Sequence, residues 1–284
     1  MNKDLKITYT NANGKSIILG AFAPFRLMNY SGFGLPENEI TSEKVYGMDG
    51  ELKIHSSLSY RDLQTDVLIQ GKDFEEKQKY KRNLMAVLNP KLLGTLRIDI
   101  LEKAYEIDVE IIKGFDPQYE KGAVQYRALD PFWRDISLLD YTVQLGEMTN
   151  LFEFPLNITD KFEFATITSG KEVEITNTGD VPIGLILNIT CTAEVVNPKF
   201  LNLYTQEFFA FNHTFTAGDT IFVNTNHGKK QVLINGENGF FMRKLGSTFI
   251  QLDNLQTNYF ILQADDGVEN MLATMKYSPL LTGV

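Results

Sequence analysis

Apolar and polar side chains alternate along much of the first 133 residues, and this period of two constrains the fold more than any other feature of the sequence. Successive side chains of an extended strand point to opposite faces, so alternation predicts strands with one face in a core and the other in water. The polar positions carry charge at Arg97, Asp99, Glu106, Asp108 and Glu110. Half-buried strands of this kind are typical of an antiparallel sheet or a β-sandwich. The alternating apolar sets are Leu52, Ile54 and Leu58; Leu63, Val67 and Ile69; Leu96, Ile98 and Ile100; Tyr105, Ile107, Val109 and Ile111; and Val124, Tyr126 and Ala128.

One segment of this half has a helical period instead. Asp73 is a good N-cap residue, and Glu76 stands at the third position after it, as in a capping box. The helix should end at Asn89, because Pro90 disfavours helical geometry at the residue before it. The apolar side chains between these points fall on one helical face: Tyr80, Leu84, Val87 and Leu88. A single amphipathic helix needs an apolar surface to cover, and we expect it to cover the sheet.

Residues 29–50 are glycine-rich and hold no sustained period. Loops of this length in a compact domain are usually functional or disordered. We interpret the segment as an arm that contacts a partner, with a flexible lid as the alternative.

The second half of the chain predicts strands without a helix. Short β-prone runs are separated by turn signals such as Asn235-Gly236 and Asn238-Gly239. Many short strands at regular spacing indicate a β-sandwich or jelly roll, so the whole chain is expected to be mainly β. The predicted strands are residues 173–175, 183–190, 208–211, 221–223, 231–234, 249–252, 259–262 and 271–277.

The length of 284 residues suggests about two domains. We place the division after Asp130-Pro131-Phe132-Trp133, giving domains of residues 1–133 and 134–284, because Pro131 stops strand pairing and two large aromatics follow it. Charge divides at the same place. Residues 1–133 hold 18 Lys+Arg against 19 Asp+Glu, whereas residues 134–284 hold 9 against 17. Pro131, Phe132 and Trp133 are therefore predicted to be buried at a domain junction.

Composition argues against several classes of protein. The net charge of −9 and the lack of a basic stretch argue against nucleic-acid binding, which needs cations to displace counterions from phosphates. The single cysteine, Cys191, lies in an apolar run and is interpreted as a core residue; no disulfide or cysteine metal cluster is expected. The first residues lack the apolar core of a signal peptide, and no apolar run approaches the ~20 residues of a membrane span. We expect folding in a reducing cytoplasm.

The titratable residues of the sequence offer few candidates for catalysis. His55, His213 and His227 belong to no recognisable motif and are expected to be structural. Glu106 and Asp108 could supply the paired carboxylates of a glycosidase, but their alternation with apolar residues favours the wet face of a strand. The segment Asp265-Asp266-Gly267 could bind Ca²⁺, yet it lacks the regular ligand spacing of a calcium loop. No catalytic residue, metal site or cofactor is predicted.

A sugar site is the other chemistry that a β-sandwich suggests. Sugar sites commonly stack sugar rings on exposed aromatics, yet the only Trp is Trp133, at the predicted junction. The aromatic run Phe208, Phe209 and Phe211 is more simply a core. Direct glycan binding has no support from the residues.

Several segments in order resemble the distal tail proteins of siphophages. In the first half these are ILGAFAPFRL, GFGLPENEITSEKVYGMDG, the helix ending in LNPK and the closing ALDPFW; in the second half they are NTGDVPIGLILNI, AGDTIFVNT and MKYSPLLTGV. The resemblance spans nearly the whole chain. It implies an N-terminal β-sandwich with one helix that forms a hexameric hub ring, or two stacked rings, and an outer galectin-like β-sandwich.

The same resemblance implies a structural protein of the virion tail tip or baseplate, assembled in the host cytoplasm and without enzymatic activity. The implied partners are the tail tube protein, the tail-associated lysin or tip protein, and in some phages receptor-binding proteins; neither nucleic acid nor membrane is expected to be bound specifically. Two alternatives stay open at this point. One is a glycan-binding adhesion module of a phage or bacterial surface apparatus, and the other is a carbohydrate-active enzyme that uses Glu106 and Asp108.

Overall fold

The computed structural model describes residues 5–115, 120–136, 141–145, 147–149, 166–168 and 172–284, with only the backbone described between residues 141 and 168. The chain divides into two compact units, Met1–Leu138 with Leu280–Val284, and Leu139–Pro279. The domain division predicted after Trp133 stays a prediction. The described residues form a mainly β fold with a single α-helix, as the sequence predicts.

The described elements follow in chain order. They are β1 (Leu5–Asn11), β2 (Ser16–Leu19), β3 (Phe25–Ser31), β4 (Asn38–Glu43), β5 (Leu52–Leu58), β6 (Arg61–Ile69), α1 (Phe74–Val87), β7 (Gly94–Ile100), β8 (Lys103–Lys113), β9 (Lys121–Ala128), β10 (Trp133–Asp135), β11 (Tyr141–Leu145), β12 (Glu147–Thr149), β13 (Thr166–Thr168), β14 (Val173–Ile175), β15 (Ile186–Cys191), β16 (Val195–Val196), β17 (Lys199–Asn202), β18 (Phe208–Ala210), β19 (Thr214–Phe215), β20 (Thr220–Asn224), β21 (Gln231–Ile234), β22 (Glu237–Asn238), the 3₁₀-helix Phe240–Met242, β23 (Asn258–Gln263), the 3₁₀-helix Val268–Asn270, β24 (Met271–Tyr277) and β25 (Leu280–Leu281). Among them no helix is long and apolar enough to cross a membrane.

The first unit is a sheet that curls back on itself. Its strands follow the order β2-β1-β7-β8-β9-β6-β3, and short β10 pairs with both β8 and β25. The two end strands meet at Gly20, whose N–H donates to the Phe25 carbonyl at 3.2 Å and whose carbonyl accepts from the Leu27 N–H at 2.8 Å. Closure lets the inward faces of these strands share one core.

Helix α1 covers this core as the sequence predicts. The Asp73 carboxylate accepts a hydrogen bond from the Glu76 N–H at 2.8 Å, which confirms the N-cap. The Glu76 carboxylate reaches the Lys72 N–H at 2.6 Å rather than that of Asp73, so the capping box closes one residue early. Leu84 and Val87 are the buried residues of the helix, and Leu88 is buried just after its end.

Residues 29–50 contain more regular structure than the sequence predicts. Strands β4 and β5 pair antiparallel as a separate two-stranded sheet, which we call the hairpin arm (residues 38–58). The alternation at Leu52 and Ile54 does mark a strand, but the prediction that these side chains are buried is wrong, since they are 63% and 60% exposed. Period two identifies a strand with one apolar face but does not say what covers that face.

The second unit is a sandwich of two antiparallel sheets. One has the order β11-β24-β15-β20-β21-β22 and the other β14-β23-β17-β18. Phe200 and Phe260 stack between paired strands with ring centroids 4.8 Å apart, and Cys191 is buried as predicted. The strand predicted at residues 249–252 is wrong, because only Leu252 forms a β-bridge there, with Ile183.

Candidate functional site: the hairpin arm and its root

The hairpin arm exposes apolar side chains that a soluble chain would ordinarily bury. A two-stranded hairpin is marginally stable in water by itself, and contiguous exposed apolar surface usually marks an interaction site. Tyr46, at the turn of the arm, is fully exposed. The other large apolar side chains exposed on the arm are Ile40, Val45, Met48, Leu52 and Ile54.

The arm begins from a firmly held root at residues 32–34. Gly32 has φ +85°, and a Cβ atom there would lie 2.0 Å from the Asp62 carbonyl oxygen, so only glycine fits. Phe33 is buried, and its ring stacks on that of Trp133 with centroids 5.3 Å apart. The arm is therefore a projecting element with a fixed base.

Arg61 fixes this root from inside the fold. It is only 3% exposed, and its bonded partners are main-chain carbonyls. Its Nε donates to the Pro131 carbonyl at 3.0 Å and its Nη1 to the Gly32 carbonyl at 3.0 Å. Further bonds go to the carbonyls of Gly34 and Thr282. Burial lowers the pKa of the Arg61 guanidinium from its ordinary value, because low polarity disfavours the charged form.

The predicted junction residues lie beside this arginine. Trp133 is fully buried in the core of the first unit, and its indole lies 5.9 Å from the Arg61 guanidinium carbon. Pro131 is buried and Phe132 is half-buried. The segment at residues 280–284 completes the site, since Leu281 pairs with Trp133 and the Val284 N–H donates to the Phe33 carbonyl at 3.1 Å. The role of Pro131, Phe132 and Trp133 as a domain junction stays a prediction.

The acidic residues of β8 lie on the outer face of the sheet, as the alternation predicts. Asp108 is exposed, and both of its carboxylate oxygens accept from Arg134 at 2.7 Å. This bond raises the pKa of the Arg134 guanidinium. Glu106 pairs across the ladders with Arg97 and Arg134. The glycosidase hypothesis needs two carboxylates, and one of them, that of Asp108, is thus already engaged by a cation.

The histidines and the acidic turn have structural surroundings. His55 lies in β5 opposite Thr41, and the His213 ring meets that of Phe215 edge-on at 4.9 Å. His227 is exposed in the turn before β21. The Asp265 carboxylate accepts from Asn197 at 2.7 Å. Within the described parts of the chain, no three His, Cys, Asp or Glu side chains converge as a metal site would require.

Two family models match the chain. Residues 12–124 match the phage tail protein RIFT-related domain, and residues 178–279 match the C-terminal domain of the siphovirus-type tail component. The chain belongs to the distal tail protein family of siphophages. It is a structural component of a siphophage tail, and one matched region lies in each half of the chain.

Solved structures agree with this family fold. The Dit protein (gp 19.1) of phage SPP1, described as a paradigm of the hub adsorption apparatus in phages that infect Gram-positive hosts, superposes with a TM-score of 0.70. The identity is 14%, over 96% of this chain and 98% of that one. A chain of the phage P2 baseplate in its activated conformation with Ca gives a TM-score of 0.52 at 11% identity, over 99% of both chains. A search of curated protein sequences gives no match.

Sequence reasoning missed two parts of the site in this distal tail family member. In the sequence, Arg61 is the polar residue at the start of an alternating strand. Its role was missed because its partners, such as Gly32 and Thr282, are distant in the chain. Residues 280–284 carried a family resemblance but no sign that they pair with Trp133. The arm did carry a signal, since residues 29–50 are glycine-rich and hold no sustained period.

Proposed function

We propose that this chain forms a hexameric ring, as one ring or two stacked rings, which serves as the hub between the tail tube and the tip or baseplate. The carrying observation is the hairpin arm, whose apolar side chains lie in water on a rigid root. Family membership supports a tail role, and the hub description of the SPP1 relative supports this place within the tail.

The free energy that burial of the arm would contribute to assembly can be estimated. Fully burying a large apolar side chain gains about 1.5–3 kcal/mol. Six such side chains on the arm would gain on the order of 10 kcal/mol in gross terms. Association costs about 4–15 kcal/mol in lost freedom, so one arm roughly balances that cost. A ring gives each subunit two such contacts, because every arm docks on the next subunit and every subunit receives an arm.

We further propose that the chain acts by assembly and not by catalysis. The bidentate pairing of Asp108 with Arg134 supports this, since a general acid or base needs a free carboxylate. Its neighbours in the virion would be the tail tube protein, the tail-associated lysin or tip protein, and receptor-binding proteins where the phage uses them. Assembly would take place in the host cytoplasm before the tail is complete.

The arm can be tested by charge insertion. Ile40→Glu with Ile54→Glu places carboxylates in the proposed contact, where burying an unpaired charge is strongly unfavourable. Both residues are 60% exposed, so the unfolding temperature of the subunit should change little. We expect the wild-type chain to have a hexameric or dodecameric mass by light scattering and a six-fold ring in negative stain, whereas the double variant should be monomeric.

The matched control is Thr41→Glu, which adds one charge to the exposed opposite face of the same strand. It should leave the ring intact. A wild-type monomer at high micromolar concentration would refute the ring. A ring that survives in the double variant would refute the assignment of the arm to the interface.

A further inference from the structure

The second unit carries a concentration of positive charge that its overall composition hides. Residues 172–284 contain six Lys+Arg and eleven Asp+Glu, yet four of these six cations fall between residues 229 and 244, where Glu237 is the only acid. No ion pair within the described residues involves any of the four. Unpaired cations grouped on an acidic domain create a local field that favours an anionic partner.

Exposed apolar side chains are interleaved with these cations. Phe240, Phe241 and Leu245 are 44%, 77% and 91% exposed. Together with Lys230, Arg243 and Lys244 they form what we call the basic–aromatic patch. Arginine and aromatic residues are enriched at protein interfaces, and exposed apolar groups beside charges are typical of such a surface.

The patch follows the edge strands of both sheets of the sandwich, and hydrogen bonds hold its backbone in place. The 3₁₀-helix that carries Phe240 follows β22, the edge strand of the larger sheet. The chain then runs beside β18, the edge strand of the smaller sheet, where the Lys244 N–H donates to the Ala210 carbonyl at 2.8 Å. Buried Ser247 fixes this run, since its hydroxyl lies 3.0 Å from the Ala210 N–H and 2.8 Å from the Lys244 carbonyl oxygen. Little backbone entropy would therefore be lost on binding.

Four side chains of the patch region form a ladder. Lys230 Nζ lies 5.3 Å from the Phe249 ring centroid, and Phe249 stacks on Phe240 at 6.3 Å. The Arg243 guanidinium lies 4.6 Å from the Phe240 ring centroid on the same ladder. Each cation–π contact is worth about 0.5–1 kcal/mol at an exposed site and orients the cation.

We propose that the basic–aromatic patch binds an acidic protein partner, in which Asp or Glu side chains surround an apolar anchor. Lys230, Arg243 and Lys244 would pair with the carboxylates. Phe241 and Leu245 would pack against the apolar anchor. A phosphate polymer has no such apolar group. Phe240 already contacts Arg243 and Phe249, so it is poorly placed to stack on a nucleic-acid base. This surface belongs to the second unit and does not depend on ring formation.

The test uses the full-length chain and fluorescein-labelled polymers in a fluorescence anisotropy titration. The probes are a glutamate–tyrosine copolymer, polyglutamate, linear polyphosphate and oligo-dT. We expect the copolymer to bind most tightly and to weaken as salt is raised. Lys230→Glu with Lys244→Glu should lower copolymer affinity by at least about tenfold, since two attractive charges become repulsive. Phe241→Ala with Leu245→Ala should lower copolymer affinity but not polyglutamate affinity.

Lys276→Glu is the matched control, because this exposed lysine of β24 lies outside the patch. An equal loss with Lys276→Glu would mean a non-specific charge effect and would overturn the proposal. So would tighter patch-dependent binding of polyphosphate or oligo-dT, or no copolymer binding at all. Self-association that the Lys230/Lys244 variant abolishes would assign the patch to a second copy instead. Ring formation should be unchanged in that variant, so this proposal and the ring proposal fail separately.

Discussion

Replacing Arg61 should destabilise the first unit more than any loss of a surface arginine. Arg61→Met keeps an unbranched apolar stem beside Trp133 but removes the donors to four main-chain carbonyls. An orphaned buried acceptor costs about 1–3 kcal/mol. Only the bond to the Pro131 carbonyl is fully buried, so the full cost of an orphaned acceptor falls on Pro131. The other three carbonyls are bonded at partly buried positions, where water can in part replace the lost donor.

The magnitude follows from the buried Pro131 acceptor and from the three partly buried bonds. The orphaned Pro131 carbonyl costs about 1–3 kcal/mol, and each lost bond from the charged guanidinium costs up to about 1.5–3 kcal/mol before water replaces it. The sum is partly offset, because removing a buried cation also removes its desolvation penalty. We expect a net loss of about 3 kcal/mol in the free energy of unfolding. With a urea slope of about 2 kcal/mol per molar, the midpoint should fall by about 1.5 M. Burial lowers the pKa of Arg61 but leaves it charged in ordinary buffers, so the loss should be the same from pH 6 to pH 9.

The assay is urea denaturation followed by tryptophan fluorescence. Trp133 is the only Trp and is fully buried, so its emission reports unfolding of the first unit. Arg82→Ala is the matched control, because Arg82 is an exposed arginine on α1 and its loss should cost at most about 0.5 kcal/mol. If the Arg61→Met midpoint matched that of Arg82→Ala, the carbonyl cluster would contribute nothing and the reasoning would be wrong.

Two further predictions concern the second unit. Burial raises the pKa of the Cys191 thiol to about 11, so native protein at pH 8 should resist a thiol reagent such as DTNB, and urea-unfolded protein should react at once. Hydrogen bonds from the Thr216 N–H and from Asn235 hold the pKa of Asp219 below its ordinary value. A lowered folded-state pKa gives stability that is present above about pH 4 and is lost as pH falls further. The melting temperatures of wild type and Asp219→Asn should therefore converge below pH 4; a constant gap down to pH 2.5 would contradict this.

Local features of the fold were predictable because their causes are local. The Asp73 cap and the end of α1 near Pro90 depend on residues within one or two turns. Strand β24 has the predicted bounds, since a strict alternation from Met271 to Tyr277 meets turn signals on both sides. Residues 249–252 also combine buried and partly exposed side chains, yet only Leu252 finds a bridging partner there, so sequence pattern could not reveal the missing ladder.

Long-range features of the candidate site were not predictable. The alternation in β5 shows that Ile54 lies on an apolar face of a strand. It does not show whether another element packs against that face. Arg61 and Thr282 are 221 positions apart, and nothing local in either segment points to their bond. The basic–aromatic patch was findable, because Lys229, Lys230, Arg243 and Lys244 are grouped in the acidic half of the sequence. The net negative charge of residues 134–284 hides this local group of cations.

The hairpin arm and the basic–aromatic patch differ in the force that each would use. The arm offers apolar area, and burial of apolar area is not weakened by screening salt; sulfate strengthens it. The patch offers charge at an exposed surface, and the Debye length falls from about 10 Å at 0.1 M salt to about 3 Å at 1 M. Raising NaCl from 0.1 to 1 M should therefore release an acidic partner from the second unit while the ring stays assembled. A ring that dissociates over the same range would show that charge, and not the apolar arm, holds the subunits together.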